Sequence, residues 1–171
     1  MKRRTRTLLF LLAATALLGA AVVAELRHER ALALDPLTEI DIDTVHRVEV
    51  RCTGCTTRRF EKVDGRWLMR EPRSQPADEA LVAKLLAIAH APVRFRHAAR
   101  DLEAGKVGLD PPQATLALDD TVLRFGTTDA IRYDRYVATG DSVALVPDRF
   151  SAVLFMAAMQ EPPGAAASIA P

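Results

Sequence analysis

The stretch RRFEKVDGRWLMR, residues 58–70, decides the fold that we predict for this chain. Two runs of strand-forming residues, 58–63 and 66–70, flank the dipeptide Asp64-Gly65. An Asp-Gly pair between two such runs is a strong signal for a two-residue hairpin turn. The stretch therefore predicts an antiparallel hairpin, with Phe60 and Trp67 as its large core anchors.

Further strands are predicted on both sides of this hairpin. Upstream, the run from Val45 to Arg51 is enriched in β-branched residues and completes a three-stranded meander. Downstream, alternating apolar and polar residues return in four runs separated by turn residues. These runs, 114–118, 122–125, 132–138 and 143–147, predict a second meander.

One amphipathic helix is predicted between the meanders, from Asp78 to His90. Its core anchors, Leu81, Leu85 and Ile88, recur at positions i, i+4 and i+7, which places them on one face. A shorter helix is expected to close the domain at 148–159. The predicted fold class is therefore α+β: two small antiparallel meanders linked by an amphipathic helix, preceded by one N-terminal apolar helix.

The N-terminus carries the pattern of a membrane signal. Four basic residues, Lys2, Arg3, Arg4 and Arg6, precede the run 7–24, which has no ionisable side chain. As a helix this run would span about 27 Å, close to the roughly 30 Å of a bilayer core. Because positive flanks stay in the cytoplasm, we expect a single-pass protein of the inner membrane with its C-terminal domain in the periplasm or outside.

Two interpretations of this run stay open. An uncleaved signal anchor is favoured, because the run is longer than the apolar core of most signal peptides. A cleaved signal peptide is the alternative, with processing after Ala24. The predicted organisation has four parts: a signal anchor or signal peptide (1–24), a juxtamembrane stalk (25–36), a single α+β domain (37–159) and a disordered tail rich in Pro, Ala and Gly (160–171).

The charge balance argues against a nucleic-acid partner. The chain has 23 Lys and Arg against 22 Asp and Glu. Without the four N-terminal basic residues the count is 23 − 4 = 19 against 22, which is mildly acidic. Aromatic residues make up only 5%, so few side chains are available to stack on bases. We therefore expect no nucleic acid among the partners.

The sequence Cys52-Thr53-Gly54-Cys55 is the one motif with reactive potential. A structural disulfide across a turn is the favoured interpretation, since close thiols oxidise outside the cytoplasm. A thiol-exchange site, half of an intermolecular metal site and two unpaired surface thiols are the alternatives. Arg51, Arg58 and Arg59 are near enough in sequence to stabilise a thiolate. A metal site within one chain is not expected, because no second ligand pair follows.

No catalytic residue or cofactor is predicted. The four histidines stand at unrelated spacings, and no nucleophile elbow or phosphate loop occurs. A basic cluster, Arg94, Arg96, His97 and Arg100, has two interpretations. A solvated face or a protected strand edge is the favoured one. The alternative is a contact patch for an acidic partner or anionic headgroups.

Several short landmarks follow one another in a recognisable order. They are Leu37-Thr38, the strand 45–50, Asp64-Gly65-Arg66-Trp67, Pro76-Ala77-Asp78, Gly108-Leu109-Asp110-Pro111, Gly126 and Arg135-Tyr136-Val137 ahead of 143–147. Their order and spacing resemble the bacterial domain-of-unknown-function family 4340. The likeness covers residues 37–155, and the chain departs from the usual pattern at Cys52 to Cys55. The resemblance implies a membrane-tethered α+β domain, often encoded near ABC-type transport components, with no catalytic residue to carry over.

The sequence thus favours a non-catalytic, membrane-tethered periplasmic module for binding or assembly, accessory to a transport or envelope complex. Its expected partners are the membrane, through the N-terminal segment, and an envelope or transporter protein. The alternative function is that of a thiol-disulfide or redox-sensing protein that uses Cys52 and Cys55.

Overall fold

The Asp64-Gly65 turn joins two paired strands, where the dipeptide predicts them. Both turn residues have positive φ angles, 50° and 79°, the combination that type I′ turns require. The computed structural model describes residues 35–156 and, outside that range, Leu18. Its strands are β1 (Arg47–Cys52), β2 (Arg58–Val63), β3 (Arg66–Glu71), β4 (Gln75–Pro76), β5 (Phe95–Ala98), β6 (Ala114–Leu118), β7 (Thr121–Thr128), β8 (Asp134–Thr139) and β9 (Ser142–Pro147).

Within residues 35–156, two α-helices accompany the strands: α1 (Glu79–Ala87) and the four-residue α2 (Ser151–Leu154). Helix α1 begins after Asp78, whose carboxylate accepts hydrogen bonds from the N–H groups of Ala80 and Leu81. This N-cap satisfies two of the donors that a helix start leaves open. Three short 3₁₀ segments complete the described elements: Ile42–Thr44, Ile88–His90 and Ala99–Asp101.

The predicted α+β class of two separate meanders is wrong. All nine strands form one antiparallel sheet in the order β4-β3-β2-β1-β6-β7-β8-β9-β5, so the fold is β-rich. A five-pair ladder between β1 and β6 joins the two meanders. The physical reason is that β1 uses only one edge for β2, and its other edge needs a partner.

The main core lies on one face of the sheet, beneath α1. Phe60 is adjacent to Val48 on β1, and Val48 is adjacent to Leu118 on β6, which makes one apolar row across three strands. The predicted anchors Phe60, Leu85 and Ile88 are buried. Trp67 and Leu81 are only partly buried at the margin of this core. Trp67 lies on β3, next to the short edge strand β4, where fewer neighbours cover its ring.

A smaller apolar cluster covers the opposite face of the sheet. Ala138 of β8 and Val143 of β9 pack there against Leu109. Their strand neighbours Val137 and Ala144 point into the main core, as alternation requires. The segment that supplies Leu109, residues 99–112, therefore acts as a cover for this part of the sheet.

That cover approaches β7 so closely that a glycine is required. A Cβ atom at Gly126 would overlap the carbonyl oxygen of Val107 and would lie 3.1 Å from Cγ of Leu109. The same carbonyl accepts hydrogen bonds from the N–H (2.8 Å) and hydroxyl (3.1 Å) of Thr127. Gly126 is thus the position at which the covering segment docks.

Several predictions concern residues outside the described ones. They are the signal segment 1–24, the stalk up to residue 34 and the tail 160–171. Within the described residues, no helix has the length and apolar character needed to cross a bilayer. The predicted closing helix 148–159 is represented by α2 alone in the described part.

We expect Gly126→Ala to destabilise the domain by about 1–3 kcal/mol, because the new methyl group must displace the covering segment. Gly105→Ala is the matched control, since its nearest non-local atom is the carbonyl oxygen of Asp110 at 3.8 Å. The control is expected to change stability by no more than about 0.5 kcal/mol. Urea unfolding midpoints measure both effects; equal midpoints for the two variants would contradict the close approach.

Candidate functional site

The cysteine pair forms a disulfide at the end of β1. The Cα atoms of Cys52 and Cys55 are 5.4 Å apart, and the N–H of Cys55 bonds to the carbonyl of Cys52. Gly54 takes a φ of +77° in the turn between them. Both cysteines are half-buried, and no cysteine in the described residues is free. The predicted disulfide is confirmed as a feature of the structure.

Arg58 is buried beside this disulfide, on the inner face of the sheet. It lies opposite Val50 in the β1–β2 ladder and is 3% exposed. Its Nη2 donates to the carbonyls of Val153 (2.8 Å) and Leu154 (2.6 Å) at the end of α2. Burial lowers the pKa of the Arg58 guanidinium, because the charged form loses hydration. The same Leu154 carbonyl oxygen lies 3.5 Å from Sγ of Cys52.

The arginines near the cysteine pair are therefore engaged elsewhere. Arg58 holds carbonyl groups, Arg51 pairs with Glu49, and Arg59 bridges Glu49 (3.1 Å) and Glu71 (2.7 Å). In the thiol-exchange alternative these three arginines were candidates to stabilise a thiolate, and the geometry gives each of them another partner. The cysteine pair also lies on a strand and its turn rather than at a helix N-terminus, where reactive cysteines commonly lie.

A second buried arginine, Arg135 of β8, ties α2 to the sheet from the other side. Its Nε and Nη2 both donate to Asp148, at 3.0 and 2.8 Å, and Nη2 also donates to Ser151 at 2.9 Å. The side chains of Arg135 and Asp148 are 9% and 13% exposed. Ser151 in turn donates to Asp148 at 2.6 Å. The Arg135 guanidinium also contacts the Phe155 ring and the carbonyl of Gly126.

Sequence reasoning missed this cluster. Ser151, Asp148 and Arg135 resemble neither a catalytic triad nor a metal-ligand set, because the serine donates to a carboxylate that an arginine already neutralises. The arrangement satisfies a buried charge pair and positions α2. In the described residues, no group of three or more His, Cys, Asp or Glu side chains is placed to hold a metal ion.

The predicted contact patch lies on the edge strand β5 and directly before and after it, but its members have different partners. Arg94 approaches the buried carboxylate of Asp134, with Nε 3.3 Å from Oδ1. Arg96 donates to the carbonyl of Pro36 at 3.0 Å, which fixes the first residues of the domain. His97 is exposed, and Arg100 is 89% exposed beside Asp101. Two of the four residues therefore have structural contacts, and two remain available on the surface.

A tight turn at residues 129–133 lies next to Arg94. The carboxylate of Asp129 accepts hydrogen bonds from the N–H of Ile131 (2.6 Å) and of Arg132 (3.2 Å). The bond from Ile131 is the main reason that the pKa of Asp129 is lowered. The carboxylate therefore stays ionised into the acid range and keeps the turn closed. Sequence reasoning did not single out this turn, although Asp at its first position is a known turn signal.

The comparisons with known proteins add no relative. No protein-family model, no curated protein and no solved structure matches this chain. The resemblance to family 4340 consequently stays a prediction.

We expect Arg135→Met to destabilise the domain by about 3–5 kcal/mol, because it leaves the Asp148 carboxylate buried without a cation. Arg100→Met is the matched control; its exposed pair with Asp101 is worth at most about 1 kcal/mol. Denaturant unfolding of both variants measures the difference. A midpoint for Arg135→Met that equals the wild-type value would show that the cluster does not hold α2.

Proposed function

We propose that this chain is a membrane-tethered, non-catalytic binding or assembly module of the bacterial envelope, accessory to a transport or envelope complex. The observation that carries the proposal is the uncharged run 7–24 behind four basic residues. Such a run favours insertion in the inner membrane with the following domain outside the cytoplasm. The resemblance to family 4340 supports the same assignment.

The disulfide supports an extracytoplasmic location. Structural disulfides persist in the periplasm and outside the cell, whereas cytosolic thiols are kept reduced. The contacts around Cys52 favour a structural role over thiol exchange, because the nearest buried cation, Arg58, binds backbone carbonyls. A redox function would need a stabilised thiolate, for which these contacts offer no support.

The non-catalytic part of the proposal is supported by how the polar side chains are used. Arg135, Asp148 and Ser151 form a closed cluster, and Arg58 is enclosed by the end of α2. The exposed members of the predicted patch, His97 and Arg100, lie at the β5 end of the sheet. An acidic face of a membrane protein is the partner chemistry that these residues fit.

We expect the double variant Leu11→Arg, Leu17→Arg to lose its attachment to the membrane. Each arginine at the centre of a spanning helix costs about 2.5–3.5 kcal/mol of insertion free energy. Cell fractionation after alkaline carbonate extraction measures the effect, with Val122→Arg as control because Val122 is 45% exposed on the folded domain. Wild-type chain found intact and dissolved in the cytosol would contradict the tether.

We expect a photocrosslinking amino acid at position 100 to give one discrete adduct with a membrane protein in intact cells. Position 66 serves as the matched control: Arg66 is exposed on β3, which six strands separate from β5 in the sheet. Gel mobility and mass spectrometry identify the adduct. Identical patterns from both positions, or no adduct from position 100, would contradict a partner at the β5 end.

A further inference from the structure

Three exposed hydrophobic residues belong to one corner of the domain, where the 129–133 turn approaches the start of β5. Ile131 is 87% exposed, Tyr133 72% and Phe95 46%. Between the first two lies Arg132, whose guanidinium carbon is 4.9 Å from the centroid of the Phe95 ring. Single exposed hydrophobic residues are ordinary, whereas several together mark a contact surface. We call these four residues the corner patch.

The shape of the corner patch is set by the backbone. Asp129 binds the N–H groups of Ile131 and Arg132, and its own N–H bonds to the carbonyl of Asp134. The N–H of Tyr133 bonds to the carbonyl of Asp129. These bonds close the turn and hold Ile131 outward, so its exposure is a built feature of the fold.

The chain enters the domain at this same corner. The N–H of Val93 donates to the carbonyl of Asp35 at 2.8 Å. The next residue, Arg94, lies 3.3 Å from the carboxylate of Asp134, which directly follows Tyr133. Only ten residues, 25–34, separate Asp35 from the end of the uncharged run. Ten residues reach at most about 36 Å, so a membrane that holds the run lies within about that distance of Asp35.

The composition of the corner patch suits a bilayer surface. Tyrosine places its ring at the headgroup level with its hydroxyl in water, and isoleucine partitions into the acyl boundary. Arginine extends its guanidinium towards phosphates while its methylene groups stay in the apolar layer. The charged groups facing this region are Arg94, Arg132, Asp129 and Asp134, and the two carboxylates are engaged by backbone N–H groups or by Arg94.

We propose that the corner patch inserts into the headgroup region of the bilayer that holds the chain, which fixes the orientation of the domain on the membrane. This inference rests on the proposed tether.

The test uses full-length protein reconstituted in vesicles of phosphatidylethanolamine and phosphatidylglycerol. Ile131→Cys is labelled with an environment-sensitive fluorophore; Cys52 and Cys55 do not react because they form a disulfide. Val122→Cys is the matched control, an exposed apolar position near the opposite end of β7. Nitroxide lipids, labelled at shallow depth, serve as quenchers.

We expect emission from position 131 to shift to the blue on reconstitution and to be quenched by the nitroxide lipids, while position 122 keeps its aqueous emission. A floating chain whose position 131 is quenched no more than position 122 overturns the contact and leaves the tether standing. A blue shift at 131 without lipid quenching indicates a protein contact and also overturns it. If the chain does not float with the vesicles, both the proposed membrane tether and the proposed contact of the corner patch are contradicted.

Discussion

The ladder between β1 and β6 is the interaction on which the rest of this fold depends. It pairs residues that are far apart in the chain, such as Val48 with Leu118 (118 − 48 = 70 positions) and Val50 with Leu116 (116 − 50 = 66 positions). Asp119, in the turn after β6, strengthens the junction by accepting hydrogen bonds from the N–H groups of His46 and Arg47. Without this ladder each meander would have an open edge and an uncovered apolar face. With it, the inner faces of both meanders form one surface that α1 covers.

Two buried arginines form a second connection between the two meanders, through α2. Arg58 reaches α2 from the first meander and binds its C-terminal carbonyls, and Arg135 reaches it from the second and binds Ser151. A helix of four residues has no stability of its own, since nucleation costs more than so few hydrogen bonds return. Tertiary contacts must therefore hold α2, and they come from both meanders, on either side of the β1–β6 junction. The disulfide at Cys52 lies beside the end of α2 and restricts the end of β1.

Local signals in the sequence predict the local structure well. The Asp64-Gly65 turn, the start of α1 after Asp78 and the Cys52–Cys55 disulfide depend on residues a few positions apart. The single sheet could not be predicted in this way. One edge of β1 pairs with β2, and nothing in the local sequence indicates whether its second edge pairs with another strand or faces solvent. The error in fold class follows from that one missing long-range pairing.

Burial of charged side chains was the other property that alternation did not reveal. Arg58 has the same parity as Phe60 in β2, which places it on the inner face, yet its charge argues for an exposed position. In β8, four of six residues are buried because the segment 99–112 covers the second face of the sheet. On the other, inner face, Arg135 is enclosed by Asp148, Ser151 and Phe155, so the alternation within β8 could not indicate its burial. Arg58 and Arg135 were missed because their surroundings come from other segments of the chain.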